Sequence, residues 1–311
     1  MLKKIKDIIE GNYNHLVGLN KDDPLYNISL RRLSICLECE HKTNSSIKLL
    51  KPYIKCGKCG CPLESKVKAP MSSCPIGKWG AVPEIKNINN KHKTVTMNAN
   101  RMEMIATIKE NYPNGFVHMI IPGHGGMING KYVTAPKKMF EFDDGTTVYE
   151  GVENRKIVKE VLAAAPNNIT IRNMVPEEED ISLAYRIARV NRLKKEYKKK
   201  EGKLAIVHEL HANAGGGTGF EAYTTRKDNF SDLMAEIWLA EQEKMFPNQR
   251  NREHKEKDFY VIREIETYGY LAESYFFDSA ADVALNCSRE GIIKNAQVLI
   301  NTMTVLDNLL V

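Results

Sequence analysis

The chain has 311 residues, of which 42% are hydrophobic and 27% are charged, with 45 lysines and arginines against 39 aspartates and glutamates. This composition is typical of a folded globular protein and excludes a disordered or collagen-like chain. No apolar run reaches the roughly 18 residues that a membrane-spanning helix needs, so we expect no membrane span. The basic start at Lys3, Lys4 and Lys6 is followed by Asp7 and Glu10, so we expect no secretory signal peptide.

Charge and cysteine are unevenly distributed along the chain. Residues 1–95 carry 17 basic and 8 acidic side chains, a net charge of +9, and six of the seven cysteines lie between residues 36 and 74. A single uniform domain would not sort its residues in this way. We therefore predict four parts: an N-terminal helical segment over 1–30, a cysteine-rich zinc-ribbon-like module over 31–82, a polar linker over 83–95, and a larger domain over 96–311.

The cysteine-rich module contains two CxxC pairs. A two-residue gap lets both thiolates of a pair reach one ion, and two pairs complete a tetrahedral site. A disulfide framework and an iron–sulfur cluster are the alternatives, and the absence of an export signal favours zinc because cytosolic thiols stay reduced. Cys61 or Cys74 could replace a member of the second pair. We predict one structural Zn²⁺ held by Cys36, Cys39, Cys56 and Cys59.

The charge of this module permits two kinds of partner. A basic zinc ribbon can contact nucleic acid phosphates, but only Tyr53 and Trp79 offer aromatic rings for base stacking. We therefore favour docking onto a protein partner over nucleic acid binding. The segments from Cys56 to Cys61 and from Cys74 to Trp79 resemble short cysteine-rich modules found in phage proteins.

The larger domain alternates strand and helix patterns. Apolar runs predict strands over 116–121, 168–175, 204–210 and 269–272, and helical spacing predicts helices over 153–165, 180–200, 230–244 and 288–310. Such alternation indicates an α/β fold, a twisted and mostly parallel sheet flanked by helices. His118 and His208 lie inside predicted strands and are expected to pack in the protein, and His254 is expected in a charged loop.

Histidines occur at two predicted strand ends, in the sequences Pro-Gly-His124-Gly-Gly and Leu-His211-Ala-Asn-Ala. Sheets of this class bind ligands at the carboxyl ends of their strands, so the two imidazoles favour one shared metal ion. A third ligand should be a carboxylate or histidine. Glu150, just before a predicted helix, is a candidate, although an acidic residue there also suits a helix N-terminus.

Hydrolysis at such a metal also needs a carboxylate that takes a proton from water. Glu273 follows a short apolar run, where burial could raise its pKa toward neutrality. The residue pattern alone does not distinguish it from Glu264 or Glu266.

Taken in order, His124 in PGHGG, Glu150, His211 in LHANA and Glu273 in an AExxFF segment resemble the motifs of zinc-dependent N-acetylmuramoyl-L-alanine amidases. The resemblance runs from about Val117 to Leu310. It implies that His124, Glu150 and His211 hold a catalytic Zn²⁺ and that Glu273 is the catalytic carboxylate. It also implies cleavage of the amide between N-acetylmuramic acid and L-alanine in peptidoglycan.

The expected absence of a signal peptide and the phage-like cysteine segments favour a phage endolysin or a virion-associated lysin. Such a protein stays in the host cytoplasm until a holin releases it, or travels in the virion, and acts on the cell wall. Its expected partners are peptidoglycan and, through the N-terminal module, virion or tail proteins. The alternatives are a catalytically inactive amidase-fold assembly protein of a virion and a nucleic-acid-binding zinc-ribbon protein.

Overall fold

The computed structural model describes residues 24–45, 53–68, 72–81, 95, 97–134, 138–225 and 230–310. The chain divides into two compact units between Met102 and Glu103. The predicted N-terminal helical segment up to residue 23, and the predicted linker except for residue 95, lie outside the described residues.

The first unit is built around a small hairpin. Helix α1 (Pro24–Leu37) precedes strands β1 (Lys42–Ser45) and β2 (Tyr53–Cys56), which pair in antiparallel fashion, and the short helix α2 (Leu63–Val67) follows. The buried core consists of one thiol and three apolar side chains, those of Cys36, Leu63, Val67 and Trp79. A core of this size is too small to stabilise a unit by apolar burial alone.

The second unit carries the central sheet. Helix α3 (Ala99–Asn111) begins four residues before this unit and continues into it. The elements that follow are, in chain order, β3 (Phe116–Pro122), β4 (Met127–Ile128), β5 (Lys131–Tyr132), β6 (Met139–Glu141), β7 (Thr147–Tyr149), α4 (Glu150–Ala164), β8 (Ile171–Asn173), α5 (Leu183–Glu201), β9 (Leu204–Asn213), β10 (Phe220–Thr224), α6 (Phe230–Met245), β11 (Asn251–Glu256), α7 (Tyr260–Glu264), β12 (Tyr268–Phe276), α8 (Ala280–Asn286) and α9 (Arg289–Leu309).

Six strands form the sheet in the order β11-β10-β12-β9-β3-β8, and only the β10–β12 pair is antiparallel. Helices α4, α6 and α9 pack on one face, and α5 and α7 pack on the other. This arrangement confirms the predicted α/β fold with a mostly parallel sheet flanked by helices. Among the helices of the described residues, none combines the length and the apolar character that crossing a bilayer requires.

The core lies on both faces of the central strands. The first seven residues of β9 are buried, as expected for a strand covered on both sides. Val117, Met119 and Val207 from the sheet pack against Val190 of α5 and Val261 of α7. Each large apolar side chain buried in this way contributes about 1.5–3 kcal/mol to folding.

Several elements extend beyond their predicted bounds, and these extensions carry site residues. Helix α4 begins at Glu150 rather than at residue 153, strand β9 continues to Asn213, and β12 continues to Phe276. The expectation that His254 lies in a loop is wrong, because it lies on β11, where pairing with β10 orders this charged segment. Its Nε2 atom lies 2.7 Å from Oγ1 of Thr224 on that neighbouring strand.

Candidate active site

The loop after β3 holds His124 in an unusual backbone conformation. Its φ angle is 63°, in the left-handed region that costs a non-glycine residue roughly 1–2 kcal/mol. Two contacts hold this conformation: the Gly123 amide donates to the Leu210 carbonyl at 2.8 Å, and the Arg155 guanidinium donates to the His124 carbonyl at 2.7 Å. The loop is therefore fixed by β9 on one side and by α4 on the other.

Glycine is required around His124 because the backbone segments touch. A Cβ atom on Gly123 would lie 2.6 Å from Nδ1 of His211, and one on Gly151 would overlap the carbonyl oxygen of Gly125. The His124 loop, the end of β9 and the start of α4 thus pack without room for an added carbon.

Glu150 is the first residue of α4 and is fully buried. Its Oε1 atom accepts a hydrogen bond from the Ala212 amide at 3.0 Å and lies 2.9 Å from Nδ1 of His211. One turn later, the Asn154 side chain donates to the Leu210 carbonyl at 3.1 Å and holds α4 against β9. The structure therefore places the Glu150 carboxylate between the two histidine-bearing strand ends.

His124, Glu150 and His211 form a cluster whose potential ligand atoms all lie within 4.8 Å of one another. The two imidazole rings are 4.9 Å apart and nearly perpendicular, at 83°. Oε2 of Glu150 lies 3.2 Å from Nε2 of His124, but it is shielded from solvent and receives no well-directed hydrogen bond. A buried carboxylate oxygen beside two imidazoles is a donor set that fits Zn²⁺.

The electrostatics of this cluster favour a positive charge at its centre. Burial opposes ionisation of Glu150, but the imidazoles of His124 and His211 lower its pKa to about 2. Burial also opposes protonation of His211, but the carboxylates of Glu150 and Glu209 raise its pKa to about 10. A cation held between the three side chains would take the place of that proton.

Glu273 lies on β12 beside this cluster. It is the register partner of His211 on β9 and of Glu221 on β10, and its Oε2 atom is shielded from solvent without a hydrogen-bond partner. Burial, opposed by His211 and reinforced by the charge of Glu150, raises the pKa of Glu273 to about 8. Its environment is therefore that of a carboxyl group able to hold or release a proton near neutral pH.

Glu264 and Glu266, the alternatives to Glu273, lie at the other end of β12. Both are exposed, and they pair with Arg263 and with Lys195 respectively. Because β12 and β9 run parallel, residues before β12 lie at the edge opposite His211. The structure brings Glu273 to the cluster and does not bring the other two.

Sequence reasoning missed Glu209, which lies two residues before His211 on the same face of β9. The side chain is 1% exposed, and its Oε1 atom lies 3.4 Å from Nε2 of His211. The available signal was an acidic residue inside a predicted buried strand. It also missed Arg155, whose position on α4 looks like an ordinary charged helix residue.

His118 and His208 are buried inside the sheet unit and do not join the cluster. Nδ1 of His118 lies 3.0 Å from Nε2 of His208, whose Nδ1 lies 3.0 Å from the Tyr270 hydroxyl. Nε2 of His118 lies 3.1 Å from a carboxylate oxygen of Asp307 on α9. Their predicted role in packing agrees with these contacts.

In the first unit, a cavity is lined by three of the predicted metal ligands, Cys36, Cys39 and Cys56, together with Cys74. Cys59 does not line this cavity, and its sulfur accepts a hydrogen bond from Nζ of Lys66 at 3.0 Å. All cysteines of the chain are free thiols, so no disulfide framework is present.

The sequence of the second unit also matches a protein family. Residues 119–304, more than half of the chain, match the family described as N-acetylmuramoyl-L-alanine amidase. The chain belongs to the N-acetylmuramoyl-L-alanine amidase family. The matched range contains His124, Glu150, His211 and Glu273, so the clustered side chains all lie within the amidase part of the chain.

Solved structures of such amidases are similar to this chain. They include the N-acetylmuramoyl-L-alanine amidase of Clostridium difficile 630, 19% identical with a TM-score of 0.49, covering 61% of this chain and 96% of that one. The catalytic domain of CwlV from Bacillus (Paenibacillus) polymyxa var. colistinus is 20% identical with a TM-score of 0.47 over 61% and 96%. AmiC2 of Nostoc punctiforme is 19% identical with a TM-score of 0.49 over 61% and 95%. No curated protein matches the chain.

Proposed function

We propose that the chain is a zinc-dependent hydrolase that cleaves the amide between N-acetylmuramic acid and L-alanine in peptidoglycan. The observation that carries the proposal is the buried cluster of His124, Glu150 and His211 beside Glu273, within the range that matches the amidase family. This cluster combines a metal-ligand set with a separate carboxyl group, which is the equipment that metal-assisted amide hydrolysis needs.

In this proposal His124, Glu150 and His211 hold the Zn²⁺. When bound, the ion supplies a Lewis acid for the amide carbonyl and makes water acidic enough to attack near neutral pH. The Glu150 carboxylate contributes the negative charge of the ligand set, and the hydrogen bond from the Ala212 amide keeps that carboxylate in place. The close packing around Gly123 limits how far the His211 ring can move.

Glu273 acts as the general base and then as the general acid. Its carboxylate accepts a proton from the attacking water and passes that proton to the leaving amine of L-alanine. A pKa near neutrality suits both steps, because the group must gain and lose the same proton in one cycle. General acid–base catalysis of this kind contributes about 10²–10⁴-fold to a rate.

The test uses the purified full chain and isolated peptidoglycan, with new α-amino groups of L-alanine as the measured product. We expect a chelator to abolish the release and added Zn²⁺ to restore it. The Glu273→Gln variant should keep its zinc and lose at least about 100-fold in rate. The matched control is Glu266→Gln, which removes an exposed carboxylate at the opposite edge of the sheet. This variant should hydrolyse peptidoglycan at the rate of the unsubstituted chain.

Two results would contradict the proposal: amine release that persists without metal, or release of reducing sugar without new amines. Complete inactivity of the zinc-loaded chain on all peptidoglycan preparations would instead favour an inactive assembly protein with this fold.

We further propose that the amidase domain over 96–311 is delivered as a phage endolysin or virion-associated lysin. The module over 31–82 would bind a second, structural Zn²⁺ and dock onto virion or tail proteins. The support is the resemblance of the Cys56–Cys61 and Cys74–Trp79 segments to cysteine-rich modules of phage proteins. We expect bacterial cells that express the chain to lyse only when a holin is co-expressed. Lysis without a holin would count against this route of delivery.

A further inference from the structure

We propose that the fourth thiolate of the metal site in the first unit is Cys74 and not Cys59, so that the ligands are Cys36, Cys39, Cys56 and Cys74. The inference rests on the proposal that this module binds zinc, and it is independent of the amidase activity. It differs from the set that the CxxC spacing predicts.

The cavity of the first unit is lined by these four cysteines. Trp79 connects two of them that are far apart in sequence: its indole N–H donates to Sγ of Cys36 at 3.3 Å, and its carbonyl accepts the Cys74 amide at 2.9 Å. The guanidinium of Arg32 lies 4.6 Å from the centre of the Trp79 ring and donates to the Gly80 carbonyl at 2.7 Å. These contacts hold the segment containing Cys74 against the helix that carries Cys36.

Four thiolates gathered around one cavity repel one another, and a divalent cation stabilises them together.

Cys59 has other partners. Nζ of Lys66 lies 3.0 Å from its sulfur and donates a hydrogen bond to it. This ammonium group compensates a negative charge on Cys59 without a metal.

In the described residues, the sulfur atoms of these cysteines do not form a group compact enough to hold a metal ion. Sulfur atoms at the corners of a tetrahedral site with Zn–S bonds of about 2.3 Å are about 3.8 Å apart. We therefore expect zinc to draw the four sulfurs inward around the existing cavity.

The experiment compares Cys74→Ser with Cys59→Ser in the full chain. Both are made in a His124→Ala/His211→Ala background, so that any zinc measured belongs to the cysteine module. We expect the Cys59→Ser chain to keep one zinc and the Cys74→Ser chain to lose it. The reverse pattern would overturn the proposal. A background chain without any zinc would overturn both this ligand set and the structural zinc.

Alkylation of the unsubstituted chain is a second test, which can be used even if both variants unfold. With zinc bound, mass spectrometry should find the four proposed ligands protected and Cys59 modified, and chelation should expose all four. Protection of Cys59 with modification of Cys74 would overturn the proposal. An inactive amidase domain would change neither result, so the two proposals fail separately.

A different observation supports a second inference: we infer that Glu209 is a positioning residue for His211. The His211 ring lies between two carboxylates, with Nδ1 2.9 Å from Glu150 and Nε2 3.4 Å from Glu209. The second oxygen of Glu209 is buried without a hydrogen-bond partner. Burial lowers the pKa of the Arg186 guanidinium, and the negative charge of Glu209 partly opposes that effect.

An acceptor on the Nε2 side sets the tautomer and the orientation of the ring. With the proton on Nε2 facing Glu209, the Nδ1 lone pair faces Glu150 and the proposed metal site. Partners of this kind are common behind metal-bound histidines, and their loss lowers metal affinity by about 10- to 100-fold. Burying a carboxylate in a strand costs free energy, so packing alone gives no reason for its presence.

This inference also rests on the proposed zinc site, and its test measures zinc affinity and stability instead of activity. In the Glu209→Leu variant we expect the affinity of the His124/Glu150/His211 site to fall by about 10- to 100-fold in a chelator competition. We expect the midpoint of thermal unfolding, measured without metal, to stay unchanged or to rise, because a buried charge is removed. Unchanged zinc affinity would overturn the inference.

The matched control is Glu241→Leu. Glu241 is a buried carboxylate on α6 that accepts hydrogen bonds from Lys244 at 2.7 Å and Asn301 at 3.1 Å. Its loss should lower the unfolding midpoint and leave zinc affinity intact. If Glu209→Leu does not fold, Glu209→Gln removes only the charge, and wild-type affinity in that variant would also overturn the inference. A chain that binds no zinc at this site in any form refutes the proposed function itself.

Discussion

The absence of a side chain at Gly123 leaves room for the ring of the proposed ligand His211. Its N–H donates to the Leu210 carbonyl at 2.8 Å, and its α-carbon faces the His211 ring so closely that a Cβ atom would lie 2.6 Å from Nδ1. Normal contacts of a Cβ with a ring atom are about 3.5–4.0 Å. Any side chain at this position therefore displaces either the ring or the strand that carries it.

We expect Gly123→Ala to weaken zinc binding by at least about 10-fold and to destabilise the fold by about 1–3 kcal/mol. Chelator competition and urea unfolding measure the two effects. Gly115→Ala is the control, because it has a φ of 83° but open space around the added carbon. It should lose about 1 kcal/mol of stability through backbone strain and bind zinc normally. Wild-type zinc affinity in Gly123→Ala would contradict the packing argument.

Among the elements, the apolar strands β3, β8, β9 and β12 could be predicted, whereas β10 and the charged edge strand β11 could not. Strand β3 is an unbroken apolar run, whereas β11 has the sequence Asn-Arg-Glu-His-Lys-Glu, whose strand character depends on pairing with β10. The same limit applies to the site. Strand-end position predicted that His124 and His211 converge, but choosing Glu273 over Glu266 required knowing on which edge of the sheet each one lies. The grouping of Cys74 with Cys36 depends on contacts of Trp79 that leave no pattern in the spacing of the cysteines.

Strand β9 makes the stability of the sheet dependent on pH through His208. Burial, and then the proximity of His118, lowers the pKa of His208 well below its usual value. The unfolded chain binds a proton at this residue near pH 6.5, and the folded chain does not. His208 therefore does not reduce the free energy of unfolding above about pH 6.5. Below that pH it reduces the free energy of unfolding by up to about 1.4 kcal/mol per pH unit.

Urea unfolding between about pH 5 and pH 7 measures this dependence. We expect the free energy of unfolding to fall toward pH 5 more steeply in the unsubstituted chain than in a His208→Gln variant. Since His118 contacts His208 directly, the difference between the two curves reports the contribution of this histidine pair. Parallel curves would show that His208 does not carry the effect.

At the scale of the whole molecule, the two proposed metal sites differ in how many ligands the chain provides. The set His124, Glu150 and His211 supplies three, which leaves a coordination position open, whereas four cysteines would close theirs. An open position lets a chelator bind the ion before the protein releases it. The two ions should therefore leave at different rates.

We expect mild chelation to remove about one of two zinc ions per chain together with all amide hydrolysis. The second ion should leave only when a stronger chelator is added in excess. Metal analysis and activity, followed in the same sample, check this order. Loss of both ions in parallel with activity would contradict the assignment of one open and one closed site.

The tight packing around His124 also limits how the sequence can change during evolution. Side chains on Gly123, Gly125 and Gly151 would each collide with backbone or ring atoms of another segment. A mutation at any of them cannot be accommodated by repacking one neighbour, since two stretches of chain would have to move together. Substitutions should therefore accumulate more slowly at these three glycines than on the exposed surface of the same domain.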